Sequence, residues 1–72
     1  MKAIQAVIFK KKNPESVAVD FEMVANYGLV SHESYPQFEK RVRGTLFHLS
    51  DVESLYIIWI LSDLTTIKEI VK

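Results

Sequence analysis

The sequence predicts a small α+β domain, in which an N-terminal β-hairpin packs against two or three C-terminal α-helices in the order ββαα. Three observations predict it. Residues 3–9 are apolar and rich in β-branched and aromatic side chains, and residues 17–23 alternate between apolar and polar, as strands do. Beyond the hairpin, two Ser-x-x-Gln/Glu capping boxes, at Ser34 and Ser50, each precede apolar residues at helical spacing, which is typical of helices.

The first predicted strand, AIQAVIF, is apolar on both faces. Val7 and Phe9 share one face, and Ile4, Ala6 and Ile8 share the other. A strand of this kind is usually covered on both sides, since one solvated face would normally carry polar residues. We therefore expect this strand to lie inside a sheet or at an interface.

Residues 17–27 allow two interpretations. The alternation over residues 17–23 indicates a half-buried strand. Asn13 as N-cap, Pro14 in the first turn and Gly28 beyond the end would instead bracket a helix. We favour the strand, because a helix would place several of the apolar residues among polar ones. Asn13 and Pro14 then begin a type I turn.

The remainder of the chain is predicted to be helical. Residues 25–33 read as a connection, and Ser34 with Gln37 begins the first helix. Its apolar residues recur at helical spacing: Phe38, Val42, Leu46 and Leu49. Ser50 with Glu53 begins the second helical region. Its apolar residues follow a 3-4-3-4 spacing: Ile57, Ile60, Leu64, Ile67 and Val71.

An alternative fold remains open because residues 55–61, LYIIWIL, also suit a buried strand. In that fold, residues 41–48 and 55–61 are strands joined by a turn. The chain would then run β-α-β-β-α, with a three-stranded antiparallel sheet. Two capping boxes in register with two apolar stripes favour the helical interpretation.

Composition limits what the chain can be. Its 72 residues predict one domain over residues 1–72, with marginal stability because a small domain buries a small share of its surface. Cysteine is absent, so disulfides cannot reinforce the core and self-association is the remaining route. The longest apolar run, residues 55–61, is far shorter than the roughly 20 residues that span a membrane. We expect a cytoplasmic protein without membrane contact.

No catalytic, cofactor or metal site is predicted. His32 and His48 are isolated from any zinc-ligand spacing, and Ser50 near His48 is already assigned to a helix cap. Gly28 and Gly44 belong to no phosphate-binding motif. We therefore expect a protein that is not an enzyme and that binds neither cofactor nor metal.

Binding to nucleic acid is the alternative function. Nine basic and nine acidic residues cancel, so no global field attracts an anionic partner. The basic residues nevertheless form two local groups, whose members are the possible nucleic-acid contacts: Lys10, Lys11, Lys12, Lys40, Arg41 and Arg43. Basic side chains beside aromatic ones suit phosphates and bases.

The favoured function is a non-enzymatic binding or regulatory module that contacts protein and forms a homodimer. Its possible interface residues are apolar and large: Val7, Phe9, Tyr56 and Trp59. Tryptophan and tyrosine are favoured anchors in interfaces. Two copies of the strand Ala3 to Phe9, paired about a two-fold axis, would give a four-stranded sheet.

Overall fold

A computed structural model describes residues 1–12 and 20–72. In chain order its elements are β1 (Ala3–Lys11), β2 (Phe21–Gly28), α1 (Tyr35–Thr45), a short 3₁₀ helix (Leu46–Leu49), β3 (Leu55–Leu61) and β4 (Thr66–Ile70). The four strands form one sheet in the order β2-β1-β3-β4, and every neighbouring pair is antiparallel. The architecture is therefore two β-hairpins joined through one helix.

The core lies between α1 and one face of the sheet. Phe38 and Val42 of α1 are fully buried. The sheet contributes the remaining buried side chains: Ala3, Ala6, Ile8, Leu55, Ile57 and Trp59. The ring of Phe38 meets the ring of Trp59 edge to face, with centroids 6.5 Å apart, a favourable aromatic geometry. The two small alanines on β1 lie in this buried face and leave room for those rings.

The first helix begins where the sequence predicts. Ser34 is the N-cap, and its hydroxyl accepts a hydrogen bond from the Gln37 backbone N–H at 3.3 Å. The Gln37 side-chain oxygen accepts from the Ser34 backbone N–H at 2.9 Å. The capping box at Ser34 is thus confirmed, as is the N-terminal hairpin of β1 with β2.

The prediction of two or three C-terminal helices is wrong. Residues that were expected to continue as a second helical region form the hairpin β3–β4 instead. Ser50 does not cap a helix N-terminus: it has helical backbone angles (φ −63°, ψ −27°) and ends the 3₁₀ helix. The Ser50–Glu53 pattern therefore lies in the turn region before β3.

The residues at 3-4-3-4 spacing do not form a helical stripe, because they do not share one face of any element. Ile57 lies in the core and Ile60 lies on the opposite side of the same strand. Leu64 lies in the turn, and Ile67 lies on β4. Strand β3 is apolar on both faces, so it lacks the period of two that identifies a half-buried strand.

The alternative β-α-β-β-α fold is also wrong. It anticipates a strand over residues 55–61, but residues 41–45 belong to α1 and the sheet has four strands. The second strand was placed too early, since β2 runs from Phe21 to Gly28 and includes part of the expected connection. The helical interpretation fails for residues 21–27, while the predicted Asn13–Pro14 turn and residues 17–19 lie outside the described residues.

Strand β1 is central, which rules out the predicted route to a dimer. It pairs with β2 along one edge and with β3 along the other, so both rows of its backbone groups are occupied within one chain. Pairing of two β1 strands across a two-fold axis is therefore wrong. Any dimer must use a different surface.

The turn between β3 and β4 holds a leucine in a left-handed conformation. Leu64 has φ 70°, and its side chain is 74% exposed. An L-residue pays about 1–2 kcal/mol for this conformation, whereas glycine adopts it freely. We expect Leu64→Gly to raise the free energy of unfolding by about 0.5–1 kcal/mol after the entropy cost of glycine. Urea unfolding of the two proteins measures it, and a loss of stability would show that the exposed leucine has a packing role.

Candidate interaction face

The sheet has a second face, opposite α1, which we call the open face because no described helix or strand packs on it. Strand pairing arranges its side chains in rows across the sheet, taken in the order β2, β1, β3, β4. One row is Gly28, Gln5, Ile60 and Thr66; the next is Asn26, Val7, Ile58 and Lys68; the third is Met23, Phe9, Tyr56 and Ile70. Phe21 and Lys11 pair with each other beyond the third row, as a partial fourth row on β2 and β1.

An irregularity in the pairing of β1 with β2 determines which side chains of β2 belong to these rows. The pairing of β1 with β2 shifts between Ile8 and Phe9, so that Val24 is the extra residue and Met23 comes opposite Phe9. Such a bulge turns the following side chains to the other face of the strand. It therefore moves Met23 and Phe21 onto the open face, where Phe21 contacts Tyr56.

The open face is mainly apolar. Eight of its side chains are hydrophobic: Val7, Phe9, Phe21, Met23, Tyr56, Ile58, Ile60 and Ile70. Six are half-buried by their neighbours, while Met23 is 58% and Ile70 66% exposed. An antiparallel sheet with one solvated face normally carries polar residues there. Soluble monomers rarely expose a large contiguous apolar patch, so this face is the candidate interaction surface.

Two phenylalanine rings contact the ring of Tyr56 within the open face. Phe9 lies nearly parallel to Tyr56, with centroids 5.1 Å apart, and Phe21 meets Tyr56 edge to face at 4.9 Å. The Lys68 ammonium nitrogen lies 4.5 Å from the Tyr56 ring centroid. Because β1 and β4 flank β3 on opposite sides, Phe9 and Lys68 cover opposite faces of this ring. Neither face of Tyr56 is free to stack on a base.

The predicted interface residues separate into two groups. Val7, Phe9 and Tyr56 lie together on neighbouring strands of the open face. Trp59 lies on the opposite side, fully buried, and its indole N–H donates to a Glu69 carboxylate oxygen at 3.2 Å. Sequence reasoning missed the rest of the apolar surface: Phe21, Met23, Ile58, Ile60 and Ile70. For Ile58 and Ile60 a signal was available: in LYIIWIL they alternate with the core residues once that segment is taken as a strand.

Two of the three predicted nucleic-acid contacts on α1, Arg41 and Arg43, form salt bridges with carboxylates. Arg41 donates two hydrogen bonds to Glu33, both 2.9 Å, and a third to the Gly28 carbonyl oxygen. This pairing lowers the pKa of Glu33 and raises that of Arg41, chiefly through the side-chain hydrogen bonds. Arg43 bridges two acids, Glu39 and Glu69. Lys40 is exposed on the same helix.

Of the lysines at the end of β1, Lys10 forms an ion pair. Lys10 lies 3.6 Å from a Glu22 carboxylate oxygen. Together with Lys11 and Lys12 it lines a shallow cleft of about 310 Å³, whose other wall is residues 51–54 with two carboxylates. The six predicted contacts therefore do not form one continuous basic surface. Three of the six form salt bridges with carboxylates of the described residues: Lys10, Arg41 and Arg43.

The two histidines are both exposed and lie on different segments of the chain. His32 is exposed in the connection before α1, and His48 is exposed on the 3₁₀ helix with its ring against Phe47. Within residues 1–12 and 20–72, no three His, Asp or Glu side chains lie close enough together to hold a metal ion. The same residues contain no buried polar or charged side chain. The open face is thus the feature that calls for a functional explanation.

Comparisons with protein families, characterised proteins and solved structures found no match to this chain. None of the helices in the described part of the chain is long and apolar enough to cross a membrane. Function must therefore be inferred from the chain's own geometry.

Proposed function

We propose that this chain is a non-enzymatic protein-binding module and that the open face is its binding surface. The observation that carries the proposal is the third row, in which Met23, Phe9, Tyr56 and Ile70 form an apolar band across all four strands. Burying such side chains is worth about 25 cal/mol for each Å² removed from water. Contact with a complementary apolar surface removes these side chains from water and is therefore favourable.

The chemistry of the face favours protein over nucleic acid. Lys11 and Lys68 are its cations, and Lys68 already lies against the ring of Tyr56. Surfaces that bind nucleic acid make several phosphate contacts, and those that bind single strands also offer free aromatic faces on which bases stack. Aliphatic side chains such as Ile58 and Ile60, which fill the middle of β3 on this face, serve neither purpose. They are well suited to contact with apolar side chains of a protein.

A double charge substitution at the margins of the face tests the proposal. We expect Met23→Lys with Ile70→Lys to leave the far-ultraviolet circular dichroism unchanged, because both side chains are more than half exposed and lysine can keep its ammonium in water. We also expect the double variant, used as a tagged bait in cells, to lose proteins captured by the wild type, including untagged copies of the chain. Quantitative mass spectrometry of the captured proteins measures this loss.

Phe47→Lys and Leu64→Lys are the matched controls, since both residues are strongly exposed, at 80% and 74%, and lie off the open face. They should capture what the wild type captures. If the double variant retains every partner, the open face is not the binding surface. Wild-type binding to single-stranded DNA or RNA that weakens steeply with salt would instead favour the nucleic-acid alternative.

A further inference from the structure

We propose that the occupant of the open face is a second copy of this chain, packed face to face about a two-fold axis that runs parallel to the strands. This rests on the proposed function, because it names the partner of the same surface. The result is a four-layer dimer with the helices outside and the two sheets inside. Aligned sheets pack in this way about 10 Å apart, with interdigitated side chains.

The direction of the axis follows from the rows. A two-fold axis parallel to the strands leaves each row at the same position along the strand direction. It places β1 over β3 of the second copy, and β2 over β4 of the second copy. Phe9 then lies opposite Tyr56 of the second copy, and Met23 opposite Ile70. The apolar band of one chain meets the same band of the other. Every contact occurs twice, as an isologous interface requires.

The charged residues of the face also fit this arrangement. Lys68 lies opposite Asn26 of the second copy, whose side-chain oxygen can accept a hydrogen bond from an ammonium group. Lys68 lies on the edge strand β4, and Lys11 lies beyond the third row. Both can extend their ammonium groups to solvent along their apolar stems. Neither charge has to be buried.

A two-fold axis perpendicular to the strands is disfavoured by the same rows. It would invert their order, so that Lys68 faces Lys68 of the second copy and two like charges meet. It would also lay the row of Gln5 and Thr66 over the apolar band of Phe9 and Ile70. Like charges and unmatched polar groups both cost free energy at an interface. The parallel axis separates the two Lys68 side chains, and it keeps the row of Gln5 and Thr66 off the apolar band of Phe9 and Ile70. Gln5 then lies opposite Ile60 of the second copy, while its side-chain amide donates to Asn26 of its own chain.

The size of the face suits a dimer. Four strands about 4.8 Å apart and rows that span about seven residues give a face of roughly 19 by 23 Å. Its projected area is therefore about 440 Å², and the corrugated accessible surface is larger. Two such faces together approach the roughly 1,000 Å² that a specific interface needs.

Measuring the oligomeric state and mapping it with single cysteines tests the proposal. Light scattering after size exclusion should give twice the 8.3 kDa chain mass, and Met23→Lys with Ile70→Lys should reduce it to the monomer. Because the chain has no cysteine, introduced thiols report on one place each. Met23→Cys with Ile70→Cys should form a covalent dimer with a short bis-maleimide.

Variants with a single introduced cysteine test the direction of the axis. Met23→Cys alone and Ile70→Cys alone should not cross-link, because strands β2 and β4 lie three strand spacings, about 14 Å, apart. Efficient cross-linking of Lys68→Cys alone would overturn the parallel axis. A monomer mass at millimolar protein concentration would overturn the proposal that a second copy occupies the open face. A dimer unaffected by the face variant would also overturn the second copy as the occupant of the open face. The proposed function would stand if that variant still lost another captured protein, and it would fall if the variant retained every partner.

Discussion

Replacing Trp59 by alanine is expected to unfold a large part of the population at room temperature. Trp59 is the largest fully buried side chain, its ring meets Phe38 and its indole N–H donates to Glu69. Truncation of a buried tryptophan costs about 3–5 kcal/mol, and the whole stability of a small domain is about 5 kcal/mol. Urea unfolding followed by far-ultraviolet circular dichroism measures the change without relying on tryptophan fluorescence.

Tyr56→Ala is the informative comparison, because Tyr56 is also a large aromatic residue of β3 but lies on the open face. We expect Tyr56→Ala to weaken association more than it weakens the fold. Trp59→Phe should retain part of the stability, since it keeps an aromatic ring against Phe38. A stable Trp59→Ala variant that fails to associate would place Trp59 in an interface, as sequence reasoning alone suggested.

The parts of the fold that sequence reasoning predicted correctly are those with a local physical signal. The reciprocal capping box of Ser34 and Gln37 depends on residues three apart, and it marks the start of α1 correctly. The apolar run over residues 3–9 also forms the expected strand β1. Both signals are complete within a few residues, so distant contacts do not alter them.

The C-terminal half was missed because its determining contacts are not local. Ser50 and Glu53 repeat the capping pattern, but the following residues form β3, whose partner β1 lies some fifty positions earlier in the chain. A strand apolar on both faces carries no alternation, and its isoleucines fit a helical spacing equally well. Tertiary pairing therefore decided between two structures that the local pattern left nearly equivalent.

Only part of the candidate site was predicted from the sequence, and the reason is physical. The apolar character of Val7, Phe9 and Tyr56 is visible in the sequence, but which of them share a face depends on the register between β1 and β3. Trp59 follows Tyr56 by an odd number of residues, which places it on the other face of a strand. Met23 reaches the open face through a bulge, which no sequence pattern indicated.

Arg43→Gln is expected to loosen the attachment of α1 to the second hairpin. Arg43 donates to both Glu69 carboxylate oxygens at 2.7 and 2.8 Å and to Glu39 at 3.1 Å. Its guanidinium carbon lies 5.3 Å from the centroid of the Trp59 ring. Partial exposure screens the charges, so we expect a loss of about 1–2 kcal/mol at pH 7, above the value of an isolated surface pair. Urea unfolding measures it.

The same substitution should also change the acid sensitivity of folding. Arg43 lowers the pKa of Glu69 below its ordinary value of 4.5, first through the side-chain hydrogen bond, against the opposing effect of burial. A lowered folded pKa contributes stability that is present above the unfolded pKa and is lost as the pH falls through the folded value. The stability difference between wild type and Arg43→Gln should therefore shrink as the pH falls below about 4.5. Lys40→Gln, an exposed position on the same helix, is the matched control and should follow the wild type. A difference that stays constant down to pH 3 would show that Arg43 stabilises α1 by packing on Trp59 rather than through its charge.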